Sequence, residues 1–287
     1  MALGQDSNTP GTGLSFPWVY MENRFVYLVL SARAGGMTIG VNGVPRDTTK
    51  ASCVYDVNGV GRMVAPTIDV EAMAGELTRV LSMFRSGRVR DLPNFRLMPD
   101  QLLNLRHVAL GAEDDPILAP QVPEALEAII HVRASAGFSF FKLVVITAGI
   151  GLELPIVQRS LRLLTRSDEV WVSLEGGTQA YVNKINQTDS SLQMWLSNIL
   201  LLARQRPVVI QSPFRAIDGE GPAVEEIEQY GQRLLELKKA GGEISRVQIC
   251  SANGAVASLR VGLLPLKALS QIARRVREIT GITVEVA

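Results

Sequence analysis

The sequence has few of the side chains that bind metals or form covalent links. It contains two cysteines, Cys53 and Cys250, and two histidines, His107 and His131, among 287 residues. The cysteines lie far apart, and no CxxC or Cys/His grouping surrounds either, which excludes a disulfide framework and argues against a zinc site. No G-x-S-x-G motif accompanies the histidines, so we interpret both as structural or surface residues. Isolated cysteines are typical of a reducing compartment, and we expect the protein to be cytoplasmic.

The sequence also lacks an excess of charge of either sign and lacks long apolar runs. The net charge is +1 at pH 7, which gives no basic signature for nucleic acid or anionic lipid. The longest apolar stretches, 138–151 and 196–203, are interrupted or shorter than the ~20 residues that cross a bilayer. Residues 1–13 are polar and lack the pattern of a secretory signal, so we interpret them as a flexible leader. We expect no nucleic acid and no membrane as partners.

What the sequence does contain is an alternation of strand-like and helix-like segments. Strand patterns occupy 24–30, 37–42, 107–110, 140–146, 169–174, 207–211, 246–250 and 282–286, and helix patterns occupy 67–84, 123–133, 155–164, 192–204, 224–239 and 266–280. Thr67 or Asp69 is suited to cap the first helix. This order predicts an α/β fold of βαβ units with a parallel sheet. About six repeats favour a partial (β/α)6 TIM-like barrel over eightfold closure. We assign 1–25 to a leader and N-terminal extension and 26–287 to one barrel domain.

Residues 49–56, Thr-Lys-Ala-Ser-Cys-Val-Tyr-Asp, resemble the cluster loop of radical S-adenosylmethionine (radical SAM) enzymes. The pattern of that loop is Cys-x3-Cys-x2-Cys with an aromatic residue before the last cysteine. Here Thr49, Cys53 and Asp56 stand at the three cysteine positions and Tyr55 is the aromatic residue. A [4Fe-4S] cluster is held by thiolates, and a hydroxyl is a hard, weak donor, so we expect no iron-sulfur cluster. The alternatives for Cys53 are a structural residue, a reactive or metal-binding thiol, or a true cluster ligand.

Other segments extend the resemblance over nearly the whole chain after the leader. Residues 31–42 resemble the approach to the cluster loop, and 168–178 resemble a strand pattern that ends in Leu-Asp-Ala-Gly-Thr. The resemblance is to stand-alone Fe-S oxidoreductases related to wybutosine-type enzymes. The Gly-Glu-Pro motif, which in the family meets the amino group of S-adenosylmethionine (SAM), corresponds to Gly-Ala-Glu-Asp-Asp-Pro at 111–116. The resemblance implies a barrel of the radical SAM type whose cofactor positions have changed.

Three carboxylates are candidate catalytic residues. In a parallel barrel, ligands meet the loops at the carboxyl ends of the strands. The crowded acids Glu113 and Asp115 can act as acid and base, grip an ammonium or bind a cation, or alternatively cap the following helix. Glu175 precedes Gly176 and Gly177, which permit close approach of a ligand to the backbone, or alternatively it serves a turn or an ion pair. Strand ends and the resemblance together indicate six candidate cofactor-binding residues: Asn42, Tyr55, Gly111, Thr147, Glu175 and Gln211.

Two functions fit these observations. In the first, a radical-SAM-like protein without a cluster binds SAM or a related adenosyl ligand at the barrel mouth and performs polar, non-radical chemistry, as a SAM-dependent transferase or lyase. In the second, the chain is a non-catalytic pseudoenzyme that partners an active homologue or a biosynthetic assembly. In both cases a small-molecule ligand is the expected occupant of the mouth, and whether the pocket binds SAM separates the two.

Overall fold

The computed structural model describes residues 18–43, 67–111, 115–137, 141–186, 191–251 and 261–287. Within these ranges the strands are β1 (Val26–Ser31), β2 (Gly36–Val41), β3 (Leu105–Leu110), β4 (Lys142–Thr147), β5 (Glu169–Ser173), β6 (Val208–Ile217), β7 (Ile244–Ser251), β8 (Val261–Leu263) and β9 (Val284–Val286). The α-helices are α1 (Val70–Arg85), α2 (Val122–Ser135), α3 (Pro155–Leu161), α4 (Gln179–Asn186), α5 (Leu192–Ala203), α6 (Val224–Lys239) and α7 (Leu266–Thr280). In this part of the chain no helix is both long enough and apolar enough to traverse a bilayer.

The strands form one curled half-barrel sheet in the order β1-β2-β3-β4-β5-β6-β7-β9. From β2 to β9 the neighbours pair in parallel, and helices connect most of them. β1 pairs antiparallel with β2, and β8 pairs antiparallel with the far end of β6. The predicted α/β class with a parallel sheet is therefore present from β2 to β9, and a short hairpin adds β1 as an antiparallel strand at one edge. The (β/α)6 count stays a prediction.

Helix α1 shows how the sequence specifies its elements. Met73, Leu77 and Val80 recur at helical spacing and are buried against the sheet. The Asp69 carboxylate accepts a hydrogen bond from the Ala72 N–H at 3.1 Å, which satisfies one of the free amide groups of the first turn. The prediction of a cap at this end is confirmed for Asp69.

The sheet has two buried faces with different partners. On the outer face, alternate strand residues such as Val145 and Val172 join the large core shared with the helices. On the concave face, Ala109, Val144, Trp171 and Val209 form a small separate apolar cluster. Because side chains alternate along a strand, residues two and four positions beyond this cluster also point to the concave side. That rule decides which strand-end residues share the inside of the half-barrel.

Charged side chains cover the concave face near the amino ends of the strands. Glu169 accepts hydrogen bonds from Lys142 Nζ at 2.6 Å, Arg246 Nη2 at 2.8 Å and Trp171 Nε1 at 2.7 Å. Burial disfavours its charged form, but the three donors outweigh burial and lower the pKa of Glu169 to about 2. Arg246 also pairs with Glu285 at 3.3 Å. The lower half of the concave face is therefore filled by an internally paired network.

Candidate functional site

Asn42, Glu175 and Gln211 lie on the concave side at the carboxyl ends of β2, β5 and β6. Their exposed fractions are 0%, 4% and 4%. Glu175 stands four positions after Trp171, and Gln211 stands two positions after Val209. Both are an even number of residues from a member of the concave cluster and so point to the same face of the sheet. The structure thus places three of the predicted site residues on the same face of the half-barrel. A carboxylate and two amides there can accept and donate hydrogen bonds to a polar ligand.

Asn42 is positioned by the segment that precedes β1. Its side-chain Nδ2 donates to the Tyr20 hydroxyl at 2.9 Å, and its backbone N–H donates to the Phe25 carbonyl at 2.9 Å. Tyr20 in turn lies against Tyr27, with ring centroids 5.0 Å apart. The Tyr27 ring crosses the face of the sheet at Gly40, where a side chain would overlap it. An aromatic wall therefore borders the mouth beside Asn42.

Gln211 begins a hydrogen-bonded chain that runs down the concave face. Its Nε2 donates to Gln248 Oε1 at 3.3 Å, and Gln248 Nε2 donates to Glu285 Oε2 at 3.5 Å. Gln248 is buried on β7 and was not among the predicted site residues. Gln248 and Cys250 are two positions apart, so the sequence indicates that they share one face of β7. The sequence alone did not show which face of the sheet that is, because this depends on the neighbouring strands.

Asp115 and Thr147 are brought together, but away from the concave face. Asp115 Oδ2 accepts from the Thr147 hydroxyl at 2.9 Å and from the Ala148 N–H at 2.8 Å, and Oδ1 accepts from the Ile117 N–H at 3.4 Å. Burial raises the pKa of Asp115 to about 6, against the effect of these donors. Thr147 shares the parity of Val145, which faces the helices. Through these contacts Asp115 holds its turn against the end of β4.

Gly111 has a packing reason to be glycine. Its backbone adopts φ +96°, and a Cβ there would lie 2.5 Å from the Ile146 carbonyl oxygen and 2.6 Å from Pro116 Cδ. Its N–H donates to the Val41 carbonyl at 3.0 Å. The glycine thus lets the end of β3 pass close to β4.

The remaining predicted residues, Glu113 and Tyr55, lie outside the described residues, as does the segment from Thr49 to Asp56. The fit of an iron-sulfur cluster is therefore judged on donor chemistry. Among the three positions of the pattern, one thiolate stands beside a hydroxyl and a carboxylate, and this set does not fit a [4Fe-4S] cluster. Over the described ranges, no group of three or more His, Cys, Asp or Glu side chains is placed to hold a metal ion.

The two glycines after Glu175, Gly176 and Gly177, allow a close contact with α6 that was not predicted from the sequence. A Cβ at Gly177 would overlap the backbone nitrogen and Cα of Tyr230 on α6. The Gly177 N–H donates to Glu226 Oε1 at 2.5 Å, and the Thr178 hydroxyl donates to Glu226 Oε2 at 2.5 Å. The close approach that these glycines permit is therefore made by the backbone of α6. Glu226 is 6% exposed, so α6 directs one of its acidic side chains into the protein rather than into solvent.

Tyr181, Arg215 and Cys250 surround Glu175 and were also missed. Burial raises the pKa of Tyr181 well above its usual range; the charges of Glu226 and Glu175 add to this and Arg215 opposes it. Burial raises the pKa of the Cys250 thiol too; the charge of Arg33 opposes the rise, Glu175 adds to it and Arg215 opposes it. These residues come from α4, β6 and β7. Only the fold brings them together.

The histidines lie away from this site. His107 is 8% exposed at the lower end of the concave face, in edge contact with Trp171 at a centroid distance of 5.5 Å. Burial lowers the pKa of His107 to about 4. His131 is exposed on α2, where its Nε2 is 3.5 Å from the Ser135 hydroxyl. These placements agree with the structural and surface roles predicted from the sequence.

A surface depression of about 320 Å³ lies between α1 and the turn before β1. Asn23, Arg79 and Arg88 are among its lining residues. Arg79 Nη2 donates to Asn23 Oδ1 at 3.0 Å, so part of the lining is already paired. The depression is on the helix side of the sheet, opposite to the face that carries Glu175.

Comparison with known proteins gives a structural likeness without a sequence match. No protein-family model matches the chain, and no curated protein matches it. Among solved structures, the crystal structure of an archaeal TYW1 is similar, with a TM-score of 0.50 and 13% sequence identity. The alignment covers 90% of this chain and 84% of that chain. At this identity the likeness shows the fold alone. The chain therefore has a half-barrel α/β fold similar to that of the archaeal TYW1 structure.

Proposed function

We propose that this protein binds SAM or a related adenosyl compound at the carboxyl ends of its strands, without an iron-sulfur cluster, and acts by polar chemistry. The observation that carries the proposal is the buried polar layer of Asn42, Glu175 and Gln211 on the concave face of a radical SAM-like half-barrel. In parallel α/β folds this end of the strands is where ligands bind.

The residues of this layer suit different parts of such a ligand. Amide groups of Asn42 and Gln211 can donate to and accept from hydroxyls or ring nitrogens. The carboxylate of Glu175 can accept from a hydroxyl or an ammonium. When bound, SAM supplies an electrophilic sulfonium centre. Glu175 is the candidate base of choice, because it lies on the concave face, whereas the oxygens of Asp115 are taken up by three donors on the other side.

Titration calorimetry with SAM tests the proposal. Wild-type protein should bind, and Glu175→Ala or Gln211→Ala should weaken binding by ~1 to 3 kcal/mol, the usual cost of a lost hydrogen bond to a charged or polar group. Ser197→Ala is a matched control, because its hydroxyl lies on the exposed side of α5 and donates to Gln193 within that helix. No heat of binding with SAM or S-adenosylhomocysteine, or unchanged affinity in both mouth variants, would place the site elsewhere.

The second candidate, a pseudoenzyme that partners an active homologue or a biosynthetic assembly, is favoured by the structural role of Asp115. Asp115 was a candidate base, but its carboxylate binds the backbone of a turn. A non-catalytic scaffold would retain a residue with this structural role. Incubation with methyl-labelled SAM and mass spectrometry of the small molecules separates turnover from binding alone. Labelled products would support the enzyme, whereas binding of a protein partner without SAM binding would support the scaffold.

A further inference from the structure

Two buried hydrogen-bond donors near Glu175 have no partner among the described residues. The Tyr181 hydroxyl and Arg215 Nε are each inaccessible to solvent, and neither makes a hydrogen bond within the described ranges. Buried polar groups in folded proteins are nearly always hydrogen-bonded, and each exception calls for an explanation such as a bound water, ion or ligand. These two atoms are both donors, and both belong to the same end of the half-barrel.

The fold directs these donors to one place. Arg215 stands four positions after Gln211 on β6, on the parity of the concave face, while its neighbour Phe214 packs on the other side against Tyr230 at 5.3 Å between ring centroids. Tyr181 lies on α4 directly against the backbone of Gly176, where a Cβ would meet its ring at 2.8 Å. Gly176 is the residue that follows Glu175. Tyr181 and Arg215 therefore approach the mouth from α4 and β6, close enough for the charge of Arg215 to act on the Tyr181 hydroxyl.

The charges indicate what would satisfy both groups. A guanidinium donates only and carries a permanent positive charge, and a phenol in this setting donates as well. An oxygen atom that accepts from both, and that carries negative charge, matches them better than water does. Arg215 makes no ion pair with a described residue, and its positive charge acts on both Tyr181 and Cys250.

We infer that Tyr181 and Arg215 form an oxyanion subsite that binds the carboxylate of the adenosyl ligand. This inference rests on the proposed function and adds which end of the ligand lies beside β6. A zwitterionic amino-acid group suits the arrangement, because Glu175 supplies a negative charge near the same point. The oxygens of inorganic phosphate accept hydrogen bonds from the same two donors. Phosphate is therefore the other oxyanion that could occupy this position.

Calorimetry with three ligands tests the assignment: SAM, decarboxylated SAM and 5′-methylthioadenosine. Wild-type protein should bind SAM about tenfold more tightly than the two ligands without a carboxylate. Arg215→Gln should weaken SAM binding by about tenfold to hundredfold, the range of a charge-assisted hydrogen bond, and should remove the preference. Tyr181→Phe should weaken SAM binding by about three- to tenfold. The affinity for decarboxylated SAM should be unchanged in both variants.

Two variants serve as matched controls. Tyr230→Phe removes a buried phenol that is bonded to Ser212 on the helix side, and Arg204→Gln removes an exposed arginine that donates to the Ala240 carbonyl. Neither should change the preference for the carboxylate. The inference is overturned if wild type binds SAM and decarboxylated SAM with equal affinity. It is also overturned if Arg215→Gln and Tyr181→Phe both bind SAM as tightly as wild type does. Either result leaves the proposed function in place.

A thermal-shift arm keeps the inference testable if no adenosyl ligand binds, in which case the proposed function fails. Acetate and inorganic phosphate are then the probes, because an anion that binds the folded state raises the melting temperature. Acetate that stabilises wild type but not Arg215→Gln supports a carboxylate subsite without the adenosyl part. Stabilisation by phosphate alone overturns the assignment to a carboxylate, and equal shifts in the two proteins overturn the subsite itself.

Discussion

Gly177 and Glu226, 49 positions apart in the sequence, are joined by a 2.5 Å hydrogen bond from the Gly177 N–H to Glu226 Oε1. The same carboxylate accepts from the Thr178 hydroxyl, and Arg233 Nε donates to the Gly177 carbonyl at 3.2 Å. The turn that follows Glu175 is thereby clamped to α6. The position of the candidate base therefore depends on α6, whose apolar residues pack in the large core on the outer face of the sheet.

Replacing Gly177 by alanine should be strongly destabilising. The new Cβ would overlap the backbone of Tyr230, and neither α6 nor the turn can move without breaking the clamp. We expect a loss of about 3 kcal/mol or more in the free energy of unfolding, the upper range for overpacking. Urea unfolding followed by circular dichroism measures it.

Gly75 provides the matched glycine control. It lies within α1, and a Cβ there would meet no atom within 4 Å. Gly75→Ala should therefore stabilise the protein by about 0.4 to 1 kcal/mol, because alanine loses less conformational freedom in a helix. Equal effects of the two substitutions would show that the contact with α6 does not form.

The clamp itself is tested by Glu226→Gln. The glutamine retains one acceptor oxygen but presents N–H groups where the second oxygen accepts from the Thr178 hydroxyl, and it removes the charge. We expect a loss of about 2 kcal/mol in the free energy of unfolding. Glu225→Gln changes the exposed neighbour in the same turn and should stay within about 0.5 kcal/mol of wild type. A comparable loss in both variants would assign the effect to the helix dipole instead.

The same pair shows where sequence reasoning reaches its limit. Glu225 and Glu226 are adjacent acids in the first turn of α6, and nothing local distinguishes the exposed one from the buried one. Helix α6 itself, with bounds at Val224 and Lys239, follows from its periodicity and is confirmed. What the pattern cannot supply is the partner, because Gly177 reaches Glu226 only through the packing of two βα units.

Element length explains most of the other differences. Helix α4 has 8 residues and β8 has 3, too few for a periodic pattern to stand out, and both were missed. Strand β6 was predicted to end at Gln211 but continues to Ile217, since its far end pairs with β8. That extension carries Arg215. The concave polar residues Gln211 and Glu175 were predictable because they directly follow apolar strands, whereas Tyr181 and Arg215 depended on the two elements that were missed or cut short.

His107 should make stability depend on pH. Its folded pKa of about 4 lies below the unfolded value of 6.5, mainly because of burial, with Glu169 opposing and Lys142, Arg246 and Arg106 adding to the decrease. The unfolded state therefore binds a proton first, and stability is lost as the pH falls from 6.5 towards 4, by an amount on the order of 3 kcal/mol. Asp115, whose folded pKa is about 6, acts in the opposite direction below that pH.

A comparison of variants isolates the contribution of the histidine. Urea unfolding at several pH values between 7.5 and 4 should show a smaller acid loss for His107→Gln than for wild type. His131→Gln changes the other histidine, which is exposed, and should follow the wild-type profile. Parallel profiles for all three proteins would mean that His107 is solvated at the floor of the half-barrel.

Anaerobic reconstitution with iron and sulfide tests the expectation that the protein holds no cluster. Thr49 and Asp56 supply oxygen where thiolates are needed, so wild type should lack the charge-transfer absorption of a [4Fe-4S] centre. The double variant Thr49→Cys with Asp56→Cys restores three thiolates at the spacing Cys-x3-Cys-x2-Cys and should bind about four irons and four sulfides per chain. Iron and sulfide analysis measures both.

The control for this last experiment is a variant whose added cysteines stand at the wrong positions in the loop. The double variant Thr48→Cys with Val57→Cys also adds two thiols, each displaced by one position, and should bind much less iron. Adding Cys53→Ser to the restored loop should abolish the cluster, because one of its three ligands is then lost. About four irons and sulfides in the wild-type protein would show that Thr49 and Asp56 do not prevent cluster binding. The polar chemistry proposed for Glu175 would then lose its main argument against a radical reaction.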